Sequence, residues 1–261
     1  MPNPLAHPAA AIPFARVGLV FSALVAGSIS PDFGYFVPLT TPYFMYTLSG
    51  LLLFDVPVGL VLLWLFHILI KWPLLSLLPI NLQRRLSGPA QGFSFGPPKR
   101  FILILGSLLV GSLTHIIWDS FTHEYGWMAR QFAFLRIPIH GMPLYTILQN
   151  LGTILGIGLL INWFMRWLPT APQSDQLPSR FSGKVQMIFF ALASVSFAAA
   201  EGTLIYVRLM IEARFISWHF LIYSIIISTV LIFSFLGGIY CMAWRIAFHR
   251  TVLTGNISSR N

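Results

Sequence analysis

The chain has 261 residues, 56% of them hydrophobic and only 9% charged, which excludes a soluble domain of ordinary composition and points to a polytopic membrane protein. Its net charge of +9 is read as basic residues gathered in loops between apolar spans, the feature that orients helical membrane proteins, and not as a nucleic-acid surface. The one cysteine, Cys241, excludes an intramolecular disulfide and a cysteine-based metal cluster.

Residues 1–16 hold Pro2, Pro4, Pro8 and Pro13 with one basic side chain, too proline-rich for a signal peptide, and are read as mature protein. Residues 17–37 are just long enough to span a bilayer, which takes about 20 apolar residues, but Pro31 and Asp32 interrupt the end. The other reading is a re-entrant helical hairpin: a short helix after His7, a turn near Arg16 and a second helix ending near Ser30. That hairpin would set His7 beside Asp32, under cover of protein or water. Residues 48–70 form a clear span carrying Asp55 and His67. The segment 71–100 reads as a proline- and glycine-rich cytoplasmic loop with Lys71, Arg84, Arg85, Lys99 and Arg100. Residues 101–123 span again, with Gly106 and Gly111 offering small contact surfaces, and 124–143 connect to a further span over 145–167. A hydrophilic linker, 169–184, separates a motif-bearing part, 1–168, from two final spans within 185–248 and a tail over 249–261. The fold class is therefore all-α, with five or six transmembrane helices.

In a six-span arrangement, one side collects Arg16, the five basic residues of 71–100, Arg166, Arg180, Lys184, Arg245, Arg250 and Arg260. The other side has Arg130, Arg136, Arg208 and Arg214. The imbalance places the C-terminus in the cytoplasm. A re-entrant first segment moves only the N-terminus, to the outside.

Chemistry speaks most clearly at residues 114–127. His115, Asp119 and His123 stand four apart, about 40° net per step on a helix, and so share one face. Ionisable groups in an apolar span usually face a cavity, a partner or an ion. Asp55 is roughly 10 Å deep in its span and His115 about 12 Å from His123, so Asp55 and His115 can meet at one level. The separation of the two histidines is too long for one ion, and suits two ions or one ion with a histidine left as base. An all-nitrogen-and-oxygen donor set favours Zn, Mn, Fe or Mg. Asp55 alone is equally a hydrogen-bonding tie between helices. His67, next to Lys71, reads as interfacial, and Glu201, Arg208 and Glu212 as a structural charge network. His219 and His249 carry no spacing signal.

His7-Pro8, the turn Ser30-Pro31-Asp32-Phe33, Asp55-Val-Pro57 and the His115-x-x-Trp118-Asp119-Ser120-Phe121-Thr122-His123-x-x-Gly126-Trp127 run together resemble the bacterial membrane family DUF4184, over about residues 1–168. More distantly they resemble inner-membrane proteins described as metal-dependent hydrolases. The resemblance implies His7, Asp32, His115 and Asp119 as metal ligands, His123 as ligand or general base, and a bacterial inner-membrane location. In one departure, Tyr46-Thr47 stands near the start of the second span, where the family usually has a histidine.

The leading expectation is a metal-dependent hydrolase, with Zn or Mn foremost, acting on an ester or phosphoester of a membrane lipid or lipid-like substrate. In it His7, Asp32, His115 and Asp119 bind metal, His123 moves the proton and Asp55 supports the ligands. The alternatives are a non-enzymatic binder of metal, haem or pigment, and a scaffold subunit. No protein partner is indicated.

Overall fold

The computed structural model of the chain describes residues 4–35, 42–211, 232 and 234–248. In order, its main helices are α1 (Pro8–Ala15), α2 (Phe21–Ile29), α3 (Leu48–Ser76), α4 (Ile80–Ala90), α5 (Pro98–Thr122), α6 (Leu144–Trp167), α7 (Gly183–Ile211) and α8 (Ser234–Phe248). Among the described residues, three stretches are long and apolar enough to cross a membrane: Leu48–Ser76, Pro98–Gln131 and Leu144–Thr170.

The first apolar segment is a helical hairpin and not a continuous span. Helices of eight and nine residues are only about 12 and 14 Å long, half of a ~30 Å hydrocarbon core. Pro8 sits in the first turn of α1, where its missing N–H costs no helical bond. Gly18, at φ +92°, supplies the left-handed residue that reverses the chain between α1 and α2. A 3-10 turn, Ser30–Tyr35, follows α2 and carries Asp32.

The chain divides into two compact units. The first comprises residues 1–67 and 91–172. In it α2 lies parallel to α5, their backbones brought close by two glycines. A Cβ on Gly27 would collide with the Leu108 carbonyl, and one on Gly111 with that of Leu24. Gly106, by contrast, faces nothing within 4 Å, so only the second of the two glycines singled out in this helix makes a close contact. Three serines tie the crossing. Val20 N–H donates to Ser107 Oγ at 2.9 Å, Ser112 Oγ donates to the Gly27 carbonyl at 3.0 Å, and Ser30 Oγ lies 3.2 Å from Ser112 Oγ. Val20, Ala23, Ala26, Leu63, Ile104 and Leu108 form the apolar core between α2, α3 and α5. Outward-facing positions such as Leu53, Ile117, Ile154 and Leu155 are apolar and exposed, as lipid-facing positions are.

Near its start α3 widens into a π turn, Leu51–Asp55, in which Val56 N–H reaches back to the Leu51 carbonyl. Pro57 follows at once; it has no N–H, and its ring crowds the carbonyl four residues back, which the wider turn accommodates. The turn buries Leu51, Phe54 and Asp55 while leaving Leu52 and Leu53 outside. Between α5 and α6 lies a small hairpin, Pro138–Ile139 with Met142–Pro143. Its two turn residues, His140 and Gly141, both have positive φ, the requirement of a tight hairpin of this kind.

The second unit comprises residues 68–90 and 173–261. The expected loop over 71–100 is instead largely helical: α3 continues to Ser76 and α4 follows. Gln83 Nε2 donates to the carbonyls of Leu78 at 2.7 Å and Ser76 at 3.3 Å, and Ser76 Oγ lies 3.2 Å from Tyr240 Oη. Trp244 Nε1 donates to the Ser179 carbonyl at 2.8 Å. Residues 68–90 thus group with the chain after residue 172. Glu212, Arg214, His219 and His249 lie outside the described residues, as do the side chains of Glu201 and Arg208.

Candidate metal centre

His115 and Asp119 are one turn apart on the buried face of α5, and both are fully buried. The α2–α5 crossing fixes the first of them. The Ser28 carbonyl accepts a hydrogen bond from His115 Nδ1 at 2.8 Å, which leaves Nε2 as the atom facing the centre of the cluster. A histidine held by its other ring nitrogen in this way is the arrangement protein metal sites use to fix tautomer and orientation.

Around His115 Nε2 the remaining groups converge. Asp119 Oδ2 lies 3.0 Å away and Asp32 Oδ1 3.7 Å away. His7 enters from the start of α1; its Nε2 is 3.6 Å from Asp119 Oδ1, and its ring lies 3.9 Å from that of His115, centroid to centroid. The Trp118 ring walls off His7 edge-on at 5.8 Å. Two ligands at about 2.0–2.1 Å from a shared ion stand roughly 3–3.5 Å apart, close to these separations. His7, Asp32 and His115 each offer a donor atom within 4.8 Å of the others, a buried group that could hold a metal ion.

Several atoms of these side chains and of Asp55 are also buried without a hydrogen bond: both nitrogens of His7, Asp32 Oδ2, His115 Nε2, Asp119 Oδ1 and both oxygens of Asp55. Each unmet buried polar group costs about 1–3 kcal/mol, more when charged. A His115–Asp119 ion pair would satisfy one contact and leave His7, Asp32 Oδ2 and Asp55 as they are. The residues present therefore could hold a metal ion.

His123 differs from the expected picture. The helix ends at Thr122, and His123 is in extended conformation (φ −120°, ψ 146°), so it does not continue the helical face of His115 and Asp119. Its backbone N–H still bonds the Asp119 carbonyl at 3.1 Å, and this returns the ring to the cluster. Nδ1 lies 3.4 Å from Asp119 Oδ1 and Nε2 lies 3.2 Å from Gln149 Nε2 on α6. At 17% exposure it is the open edge of a cluster whose other members are at most 4% exposed.

Asp55 is also buried, and its π turn packs against both the turn that carries Asp32 and the helix that carries His115. His67 is not brought in. Its Nε2 is 3.0 Å from Ser22 Oγ and its ring stacks on Phe93 at 3.4 Å, twelve residues beyond Asp55, about 18 Å along α3.

A model of the family described as Domain of unknown function (DUF4184) matches residues 1–244. The chain belongs to the DUF4184 family. The match extends past residue 168, so the family pattern includes α7 and most of α8 besides the motif-bearing part. No curated protein and no solved structure shows a significant match to the chain, and the distant likeness to metal-dependent hydrolases has no further support. Tyr46, just before α3, has its Oη donating to Asp119 Oδ2 at 2.9 Å. The sequence reading named Tyr46 only as part of the Tyr46-Thr47 departure and gave it no role at the site; the hydroxyl of Thr47, beside it, accepts from Gly50 N–H at 3.0 Å and caps the start of α3. Gln149 and the Ser28 carbonyl were missed as well.

Proposed function

We propose that this DUF4184 protein is a membrane-embedded, metal-dependent hydrolase of an ester or phosphoester in a lipid-like substrate. The observation that carries the reading is the buried group of His7, Asp32 and His115, whose donor atoms lie within 4.8 Å of one another, with Asp119 beside His7 and His115. His7, Asp32, His115 and Asp119 would hold the ion, Zn or Mn foremost among those suited to such donors. When bound, a divalent ion supplies Lewis acidity and eases deprotonation of water. The chain's own residues do the rest. Ser28 and Tyr46 orient His115 and Asp119. Asp119 holds His123 with Nδ1 toward its carboxylate, which presents Nε2, beside Gln149, to take a proton. Water's oxygen forms the new bond to carbon or phosphorus; the alcohol leaves with one proton and the other passes through His123 to solvent.

The placement we infer is a five-span protein of the bacterial inner membrane: the hairpin re-entrant, α3, α5 and α6 crossing, two more crossings after residue 183, and a cytoplasmic C-terminus. The centre then lies about 10 Å below the outer surface, judged from the seven residues between His115 and the end of α5, within reach of lipid head groups.

The deciding experiment is elemental analysis of the full chain, purified in mild detergent without chelator, together with product release from phospholipids and lipid phosphates. Absence of stoichiometric metal refutes the reading and leaves a scaffold role. A second reading, metal binding or carriage without catalysis, draws on the near-complete burial of the four ligands; stoichiometric metal with no cleavage would decide for it.

A further inference from the structure

Residues 127–143 connect α5 to α6, beginning just after the cluster's open edge at His123, and their apolar side chains face outward. Trp127, Phe132, Phe134, Ile137, Ile139 and Met142 are all exposed, whereas Ala129 and Leu135 are buried. So much exposed apolar area in one short connection marks an interaction surface. The spans on either side show what covers it: α5 and α6 turn Ile117 and Ile154 outward too, so the connection continues, in chain order, an exterior that faces lipid.

The backbone of this connection suits a place where water is scarce. The N–H groups of Phe132, Leu135, Ile137 and Leu144 bond locally, to the carbonyls of Met128, Phe132, Phe134 and Ile137 at 2.9–3.2 Å. Pro138 and Pro143, opposite each other in the hairpin, have no N–H to satisfy. Backbone groups met internally are what contact with lipid requires. Charge names the chemistry. Residues 125–143 hold Arg130 and Arg136 and no acidic side chain, and both arginines are exposed. Arg136 Nη2 donates to the Arg130 carbonyl at 2.7 Å, which brings the second guanidinium to the turn that carries the first. Arg130 stands two hydrogen-bonded turns from His123: its N–H bonds the Gly126 carbonyl at 3.0 Å, and Gly126 N–H bonds that of His123 at 2.9 Å. The guanidinium fork matches a phosphate.

We propose that residues 127–143 lie in the headgroup layer at the membrane surface where α5 ends, with their aromatic and aliphatic side chains among the upper acyl chains and Arg130 and Arg136 on the phosphate of an anionic phospholipid. Tryptophan at headgroup level and basic side chains drawn to anionic lipid are the physical anchors of such a seat. The contact rests on the membrane placement above and is independent of the metal.

The test uses the full chain in nanodiscs of equal parts phosphatidylcholine and phosphatidylglycerol, with Cys241 replaced and a fluorophore on a single cysteine at Phe134. Companion probes sit at Leu155, exposed on α6, and at Asp175, exposed in the hydrophilic linker. Lipids brominated high in their acyl chains should quench the probes at Phe134 and Leu155, and water-borne iodide should quench Phe134 far less than Asp175. Brominated phosphatidylglycerol should quench at Phe134 in preference to brominated phosphatidylcholine, by about fivefold per arginine, the ~1 kcal/mol a basic residue gains at an anionic surface. Arg130→Gln with Arg136→Gln should abolish that preference while Leu155 quenching is unchanged; lysine at both positions, which keeps the charge, should retain most of it. A quenched Leu155 probe with an unquenched Phe134 probe overturns the seat alone, and exclusion of both bromolipid and iodide from Phe134 overturns it in favour of a second copy of the chain. No bromolipid quenching at either site overturns the membrane placement as well. Equal quenching by the two lipids in the parent protein, or a preference that survives the glutamine pair, overturns the role of the arginines. None of these readings involves metal or turnover, so failure of the hydrolase reading leaves them standing.

Discussion

Replacing Tyr46 with Phe removes a single oxygen and tests whether the metal centre depends on how Asp119 is held. The hydroxyl donates to Asp119 Oδ2 at 2.9 Å, and the same oxygen lies 3.0 Å from His115 Nε2. A hydrogen bond to a charged group contributes about 1.5–3 kcal/mol. Independently, losing a group that orients a metal ligand typically weakens binding ~10–100-fold, or about 1.4–2.8 kcal/mol at ~1.4 per tenfold. The two estimates agree, so Tyr46→Phe is expected to raise the metal Kd by about 10–100-fold. The phenylalanine ring fills the same space, so the melting temperature of the chelated protein should move little. Competition against a fluorescent chelator in detergent measures the Kd, with Tyr125→Phe as comparison because Tyr125 is 61% exposed. A Tyr46→Phe Kd within about threefold of wild type, ~0.6 kcal/mol, while His115→Ala loses metal, would refute the idea that this hydroxyl orients Asp119.

The ligands themselves should separate from the unassigned histidines: His115→Ala and Asp119→Asn are expected to lose metal by elemental analysis at matched purity, whereas His219→Ala and His249→Ala keep it. With Cys241 replaced, single cysteines at Gln91 and Ala133, both exposed, should react oppositely with an impermeant thiol reagent added to intact cells; equal labelling contradicts the topology. Gly111→Val drives a side chain into the Leu24 carbonyl and to within reach of Ser28 N. Because backbone cannot step aside as a side chain can, destabilisation should be at least the ~1–3 kcal/mol of core overpacking, with metal lost too, read by thermal unfolding and metal content.

The hairpin was legible because proline and a short apolar run are local signals, and they led correctly to His7 beside Asp32. The pairing of His115 with Asp119 was legible because helical period needs no tertiary knowledge. The depth match of Asp55 and His115 followed from rise per residue, and the packing of their elements agrees. What failed depended on partners distant in sequence or on where helices stop. His123 was placed on the helix because period alone does not announce the break after Thr122. The 71–100 segment was read as loop from its prolines and glycines, yet Pro73 lies within α3 and Pro89 near the end of α4. The Ser28 carbonyl has no sequence signature of its own; only Gly27 and Gly111, as paired small residues, hint that a backbone comes close enough to bond a side chain.

That close approach links fold to chemistry. His115 Nε2 faces the cluster because Nδ1 is bound to Ser28, and Ser28 reaches Nδ1 because α2 and α5 touch at two glycines. Asp32 follows α2 by a single 3-10 turn, so the contact that sets the histidine tautomer also sets the carboxylate opposite it. Unmet buried polar groups at about 1–3 kcal/mol each, summed over His7, Asp32, Asp55, His115 and Asp119, amount to something comparable with the entire ~5–15 kcal/mol that stabilises a typical domain. A ligand that binds the folded state at this cluster would offset that cost by mass action. Cation binding should stabilise wild type by about 2.7 kcal/mol at a hundredfold excess over Kd, and its melting temperature should rise with the logarithm of free metal. His115→Ala should abolish that dependence. A wild-type melting temperature indifferent to Mn(II) and Zn(II) would mean that the cluster is satisfied in some other way, and the metal reading would fall.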